Sequence, residues 1–362
     1  MLIYNALAFL SLVMHKIIND RRIYMVLMYG FLIFVAAARS VAVGSDTETY
    51  TVLYEENKYT DICGYTLFDL NNKIEIGVLL IMILSRYIAD TPQTFIAMMA
   101  LFTLLSLAFF VWREAGKYYY LATFIIITFG FYFYMMNAER QALAIAISCH
   151  AISYAMRAKY FKSLIVVLLS SMFHFSLVIL VPIIILLMII NMEMKKKTRV
   201  MLLIFICILS TISLYYGYTY IFNNMDLLES KSYYITSKIY GDTKISGIYF
   251  YSMMMFYGML SFLLNVLPTK EIQTRFNSII GILLAIAVIF QLAQVKIMYI
   301  FYRFVDTFTI YVCVGIPYFF SSFKDSYYKQ GMLLAFILFA FCVMNYQLLT
   351  HIQEVYPYKL GI

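Results

Sequence analysis

Ten ionisable side chains lie within or beside long apolar runs, where a charge usually marks a cavity, an ion path or a substrate site. They are Arg39, Glu75, Arg86, Glu139, Arg140, His150, His174, Lys296, Arg303 and Asp306. Arginine matches phosphate oxygens with paired hydrogen bonds, while aspartate or histidine can orient or deprotonate a hydroxyl. The first hypothesis is therefore chemistry on a strongly anionic substrate. The competing interpretation is that each arginine reaches the membrane surface or pairs with a carboxylate.

The helices that must position these groups are expected to cross a membrane. Of the 362 residues, 64% are hydrophobic and 13% charged, with a mean hydropathy of +0.83, whereas soluble domains are about 45–50% apolar. Apolar runs of about 17 to 21 residues recur, each long enough to cross the membrane as a helix. The composition predicts an all-α polytopic membrane protein and excludes soluble and β-barrel folds. Five scattered cysteines without a CxxC pair predict neither a disulfide nor a metal site.

The apolar pattern predicts eleven or twelve transmembrane helices. The apolar segments cover residues 2–18, 23–41, 74–90, 93–112, 118–136, 141–156, 163–191, 200–216, 248–267, 277–295, 304–321 and 331–349. The first segment lacks the basic start and cleavage site of a signal peptide, so we expect it to be retained. Because no linker or fixed-period repeat divides the chain, residues 1–362 are expected to form a single membrane domain.

Short basic clusters between the apolar runs indicate which loops face the cytoplasm. They are "KIINDRR", "MRAKYFK", "EMKKKTR", "PTKEIQTR" and "FKDSYYK". The two long polar stretches, residues 42–73 and 217–247, then fall on the outer face as external loops, together with both termini. The net charge of +8 reflects this orientation and does not indicate nucleic-acid binding, since the basic residues share no surface face.

Two segments must be irregular for this topology to hold. Residues 118–136 have Gly130 near their middle and are expected to be broken or re-entrant, which places Arg140 outside. Residues 163–191 separate two basic clusters that should share the inner face. We therefore expect two short helices that meet near "MFHFS". That break brings His174 toward the level of Arg140.

Four basic residues then occupy the outer ends of their helices, against the positive-inside trend. They are Arg39, Arg140, Lys296 and Arg303. Four together favour an external anion site over isolated interfacial arginines. After Arg140, a stripe of alanines at four-residue spacing should let neighbouring helices pack closely. His150 continues that stripe and is expected to be a packing residue.

The external stretch "RSVAVGSDTETY" begins at Arg39 and contains Gly44, Asp46, Thr47 and Tyr50. Glycine allows a sharp turn off the membrane, and Asp46 could orient a hydroxyl or accept its proton. The competing interpretation is an Asp-Thr turn, or the N-cap of an interfacial helix. Spacing alone favours that second interpretation.

Six motifs, taken in order, resemble the EpsG-like group of Wzy-type polysaccharide polymerases over nearly the whole chain. They are "RSVAVGSDTETY", Glu75 with Gly77, "ERQALAIAI", "MFHFSLVIL", "FYRFVDTFTIY" and the terminal "PYK". The resemblance implies a bacterial inner-membrane enzyme with a GT-C-like helical fold that extends O-antigen or a related surface polysaccharide at the periplasmic face. Such enzymes transfer the growing glycan from undecaprenyl diphosphate to a lipid-linked repeat unit, without a nucleotide sugar, metal or other cofactor. A chain-length regulator is a further candidate partner.

The resemblance also assigns candidate residues by position. The family's Arg-Gln pair, His-x-Ser, Gly-x-Asp and late Arg fall on Arg140 with Gln141, His174 with Ser176, Gly44 with Asp46, and Arg303. Glu139 stands where the family commonly has an aliphatic residue. That departure leaves open whether Glu139 pairs with Arg140 or takes part in the chemistry.

Glycosyl transfer from a lipid diphosphate needs stabilisation of the charge that builds on the leaving group. Arg140 and Arg303 are the first candidates for that role. His174 and Asp46 are unranked candidates for the base that activates the attacking hydroxyl. The residues predicted to bind substrate are Arg39, Glu139, Gln141, Lys296 and Tyr50.

Three other activities would also use basic residues or an intramembrane histidine. A lipid-linked oligosaccharide flippase should show two related halves, which the sequence does not have. An O-antigen ligase would use the same donor, and only the motifs distinguish it. A membrane O-acyltransferase usually takes a cytoplasmic donor, whereas the unusual residues here are predicted to lie outside.

Overall fold

The computed structural model describes residues 1–58, 74–190, 247–266, 271–296 and 301–361. These residues form an all-α polytopic membrane protein. Helices of the first part are α1 (Leu2–Ile17), α2 (Arg21–Ala37), α3 (Thr47–Glu56), α4 (Ile76–Ile88), α5 (Pro92–Glu114), α6 (Tyr119–Thr128), α7 (Phe131–Tyr134), α8 (Glu139–Met156), α9 (Tyr160–Ser171) and α10 (Leu180–Ile190). Those of the second are α11 (Gly247–Val266), α12 (Glu271–Lys296), α13 (Tyr302–Thr309), α14 (Val312–Ser321) and α15 (Tyr327–Leu349).

Several helices begin where side chains satisfy their first backbone N–H groups. Asp20 accepts hydrogen bonds from the backbone N–H groups of Arg22 and Ile23 at the start of α2. Thr91 caps α5, whose first residue is Pro92, and Ser326 caps α15. These caps fix the helix starts on a chain whose apolar pattern is nearly continuous.

Five segments within the described residues are long and apolar enough to cross a membrane. They are Pro92–Glu114, Gly247–Val266, Arg275–Gln294, Arg303–Ser321 and Tyr327–Leu349. Four shorter apolar helices accompany them, including α1 and α4. The chain is therefore a multi-pass membrane protein. The count of eleven or twelve crossings stays a prediction, because the apolar segment 200–216 and nearly all of the external loop 217–247 lie outside the described residues.

The predicted break in residues 118–136 is confirmed. α6 ends at Thr128, Gly130 adopts φ +87°, and the single turn of α7 follows. This left-handed backbone conformation favours glycine, and a Cβ atom at Gly130 would also displace the end of the Gln347 side chain. The break redirects the chain into the turn that precedes Glu139.

The second predicted irregularity is also confirmed. Residues 163–191 divide into α9 and α10, joined by a turn at Met172–His174 and a 3₁₀ helix over Phe175–Ile179. The Met172 carbonyl accepts a hydrogen bond of 2.8 Å from the backbone N–H of Gly77, at the start of α4. This contact places the "MFHFS" break against α4, the helix that follows the loop predicted to be external. Residues 59–73 of the loop predicted over 42–73 lie outside the described residues.

α8 is the buried centre around which these parts assemble, packing against α5 and α9. Ala142 and Ala146 are fully buried, as the alanine stripe predicted. His150 hydrogen-bonds Ser106 at 3.2 Å and Arg113 at 3.0 Å, which agrees with the packing role expected for it.

The far end of α8 is closed by a network around the buried carboxylate of Glu114. Arg157 donates to both carboxylate oxygens, at 2.8 and 3.1 Å, and Arg113 donates at 2.9 Å. Ser153 and the Tyr318 hydroxyl complete the contacts. This network ties α5, α8 and α14 together at the end of the bundle opposite the start of α8.

Candidate active site

The start of α8 collects most of the predicted site residues, and it begins with a buried ion pair. The guanidinium of Arg39 hydrogen-bonds the carboxylate of Glu139, and both side chains are only 1% exposed. Arg39 also donates to the carbonyl of Ala36 at 2.5 Å. The partner of Glu139 is thus Arg39 and not Arg140, while a part of Glu139 in the chemistry stays a prediction. Pairing is the physical requirement for keeping two charges so deeply buried.

Arg140 forms a second ion pair, which is less buried than the first. It donates to the Glu75 carboxylate at 2.7 Å, and these two side chains remain 24% and 23% exposed. Its guanidinium lies 5.7 Å from the centre of the Tyr50 ring and interacts with the Tyr50 hydroxyl. Arg140 is therefore held by protein groups at one side and accessible to an anion at the other.

Gln141 links α8 to the neighbouring helix α13. Its side-chain N–H donates to the backbone carbonyl of Arg303 at 2.6 Å, which joins α8 to the start of α13. The Arg303 guanidinium lies close enough to Asp46 to lower the pKa of its carboxyl, as does Arg140. Arg140, Arg303 and Asp46 are thereby brought together from three separate parts of the chain.

Asp46 lies on a tight turn over the end of α7. Gly44 adopts φ +90°, and a Cβ there would lie 2.3 Å from the carbonyl oxygen of Met136. Thr47 donates to the carbonyl of Val43 at 2.7 Å and approaches the Met136 carbonyl at 3.2 Å. Only glycine fits this approach, because it needs both the left-handed conformation and the missing side chain.

The N-cap interpretation of Asp46 is correct in position. α3 begins at Thr47, but among the described residues the Asp46 side chain makes no capping hydrogen bond. Lost solvation raises the pKa of the Asp46 carboxyl, against the lowering effect of Arg303 and Arg140. Burial likewise raises the pKa of Tyr50 to about 12, so this tyrosine stays a neutral hydroxyl.

His174 belongs to the adjoining edge of the site. Its Nδ1 contacts the Ser176 hydroxyl at 2.6 Å and accepts from the Ser176 backbone N–H at 3.4 Å. The preceding Phe173 packs on Gly77, two residues after Glu75. The turn that carries His174 therefore packs against the start of α4, close to Glu75 in the chain. The Lys296 side chain lies outside the described residues, so its role stays a prediction.

Sequence reasoning missed three polar contributors to the site. Glu75 was singled out as a buried charge without a site role, and it proves to hold Arg140. Asn137 directly precedes the "AERQ" motif, and its side-chain oxygen accepts from the Asp46 backbone N–H at 2.9 Å. Gln353 near the C-terminus receives a 3.1 Å hydrogen bond from Asn137. The sequence signal for these residues was their position in or near the motifs that resemble the family.

The arrangement combines cations, a carboxylate and aromatic hydroxyls, so it can bind an anion beside an oriented hydroxyl group. Within the described ranges, no three His, Cys, Asp or Glu side chains are grouped so that they could hold a metal ion.

Comparison with known proteins identifies the family. No curated protein and no solved structure matches this chain. The family model described as the EpsG family matches residues 22–360, which includes every residue of the site described above. That family is polysaccharide polymerase-like. The chain therefore belongs to the EpsG family and has a polymerase-like role in polysaccharide biosynthesis.

Proposed function

We propose that this protein polymerises undecaprenyl-diphosphate-linked repeat units into O-antigen or a related surface polysaccharide. The observation that carries the proposal is that the partly exposed Arg140 and the guanidinium of Arg303 both act on the carboxyl of Asp46. The reaction takes place at the periplasmic face of a bacterial inner membrane, on a helical scaffold of the GT-C kind. Family membership supports polysaccharide polymerisation, and the two arginines support a lipid diphosphate donor.

The leaving group explains the arginines. As the bond between the anomeric carbon and the diphosphate oxygen breaks, negative charge accumulates on the diphosphate. Arg140 and Arg303 are the groups that stabilise that charge. Glu75 and Tyr50 hold the Arg140 guanidinium in place before substrate arrives, so reorganisation during the reaction is small.

The acceptor needs a hydroxyl whose oxygen attacks the anomeric carbon and whose proton leaves to a base. Asp46 and His174 are the candidates. Burial raises the pKa of Asp46, which makes it a better proton acceptor than an ordinary aspartate. The products are a new glycosidic bond, a protonated base and a free lipid diphosphate. The buried Arg39–Glu139 pair supports the site from beneath.

Deletion of the gene separates the alternatives. We expect a strain without the protein to carry core lipid with a single repeat unit on a lipopolysaccharide gel, with restoration of long chains by the plasmid-borne gene. Loss of a ligase would leave bare core while polymer accumulates on its carrier, and loss of a flippase would remove both. Bare core with accumulated polymer would overturn the proposal.

A further inference from the structure

The C-terminal tail folds back from the end of α15 onto the outer end of α2. The Ser40 backbone N–H donates to the Lys359 carbonyl at 2.8 Å, and the Gly361 N–H donates to the Ala38 carbonyl at 2.9 Å. A Cβ at Gly361 would lie 2.7 Å from the Arg39 carbonyl oxygen, so the two backbones are in close contact. The tail is thus paired with the segment that leads to Asp46.

The tail contacts the turn that carries Asp46 a second time, through residues 353 and 354. The Gly44 backbone N–H donates to the Glu354 carbonyl at 3.1 Å. Asn137 donates through Nδ2 to the Gln353 side-chain oxygen at 3.1 Å. With Oδ1, Asn137 accepts from the Asp46 N–H at 2.9 Å and from the Ser45 hydroxyl at 2.8 Å. Residues 353 and 354 therefore hold the turn that leads into Asp46, at Gly44 directly and at Ser45 and Asp46 through Asn137.

The side chain of Asn137 can link Gln353 to the Asp46 turn for a chemical reason. A carboxamide accepts hydrogen bonds with its oxygen and donates with its nitrogen at the same time. The buried Gln353, only 9% exposed, presents the acceptor that Asn137 needs. Truncation of Asn137 would leave the Asp46 N–H and the Gln353 oxygen without their partner.

The tail also contributes charge. The groups that face Asp46 are Arg303 and Arg140, which favour its ionised form, Glu354 and Glu139, which oppose it, and the neutral Tyr50. Glu354 is exposed and lies on the tail, whereas Glu139 is buried against Arg39. An exposed carboxylate beside Asp46 raises the pKa of the Asp46 carboxyl.

We infer that Gln353 and Glu354 are positioning residues of the active site: they fix the Asp46 turn through Asn137 and place a second carboxylate beside Asp46. The inference rests on the proposed function, because it takes Asp46 as the group that accepts the hydroxyl proton. It makes the C-terminal tail part of the site through the hydrogen bonds to the Asp46 turn, and the tail then contributes to the acid limit of the polymerase.

The test measures polymerisation rate against pH. Full-length protein in lipid nanodiscs receives the lipid-linked repeat unit extracted from the deletion strain. Removal of a negative charge in Glu354→Gln should move the midpoint of the acid limb of kcat to lower pH by about 0.3 to 1 unit. Asn137→Asp adds a negative charge while keeping the acceptor oxygen, so it should move the midpoint to higher pH. Both shifts follow from the ionised form of Asp46 being the active one.

Controls separate charge and position from folding. Glu55→Gln removes an exposed carboxylate on α3 that is not among the groups acting on Asp46, and should leave the profile unchanged. Asn137→Ala should lower kcat about tenfold or more with a smaller change in KM, while Gln353→Glu, which keeps the acceptor, should retain most of the rate.

The outcomes distinguish the inference from the function on which it rests. An acid limb of Glu354→Gln that coincides with that of the wild type would overturn the inference, even if Asn137 variants fail to fold. Polymer formation by the wild type would still stand in that case. Absence of polymer from the wild type at every pH would instead overturn the proposed function.

Discussion

Arg140→Lys should lower polymerisation by about 10²-fold or more while the protein still accumulates in the membrane. Arg140 must contact Glu75 and the substrate diphosphate together, and its planar fork does so with separate N–H groups. A lysine ammonium is a point charge that cannot bridge both partners in this geometry. The measurement is the rate of polymer formation in nanodiscs, with chain length on gels of cells that carry the variant.

The matched control is Arg22→Lys, at an exposed arginine near the start of α2 and outside the site. It should leave the rate and the chain lengths unchanged. Full chain length in Arg140→Lys, at normal protein levels, would argue against bidentate diphosphate binding by Arg140.

Glu139→Ala should destabilise the folded protein by about 3–5 kcal/mol, because it leaves the guanidinium of Arg39 buried without its partner. Arg39 joins the end of α2, the start of α8 and the C-terminal tail. The loss of stability should therefore affect the whole end of the bundle where these segments meet. Thermal unfolding of the purified protein in detergent measures it as a lower midpoint.

The double variant Arg39→Met with Glu139→Leu tests whether the unpaired buried charge causes this loss of stability. Replacement of both charges by apolar side chains of similar size should recover most of the lost stability. If Glu139→Ala unfolds at the wild-type temperature, then the pair does not stabilise the fold. A double variant no more stable than the single one would show that packing, and not an unpaired charge, causes the loss.

The parts of the structure that sequence could predict are those decided locally. Hydropathy predicted the membrane helices, because any apolar run of sufficient length must satisfy its backbone as a helix. Gly130 and the basic clusters around 163–191 predicted two breaks, and both are present. The sequence also predicted that the site residues lie together near the start of α8, and that prediction depends on the same two breaks.

The pairings within the site could not be predicted in this way. Arg39 and Glu139 are 100 residues apart, and Arg140 and Glu75 are 65 apart. Each glutamate was an equally plausible partner for several arginines, because hydropathy fixes the depth of a side chain and not its neighbour around the bundle. The contact of the tail with the Asp46 turn depends on the same tertiary closure. Asn137 gave no signal of its own, since a single asparagine before a helix is also typical of an ordinary turn.

The most direct measurement is glycosyl transfer by the purified protein alone. Nanodiscs that contain the full-length chain receive the repeat unit on its lipid carrier, extracted from the deletion strain, and products are separated by length. The account predicts a ladder spaced by one repeat unit, with one lipid diphosphate released for each new linkage. Repeat units that remain unlinked, in the presence of folded protein and abundant donor, would contradict it.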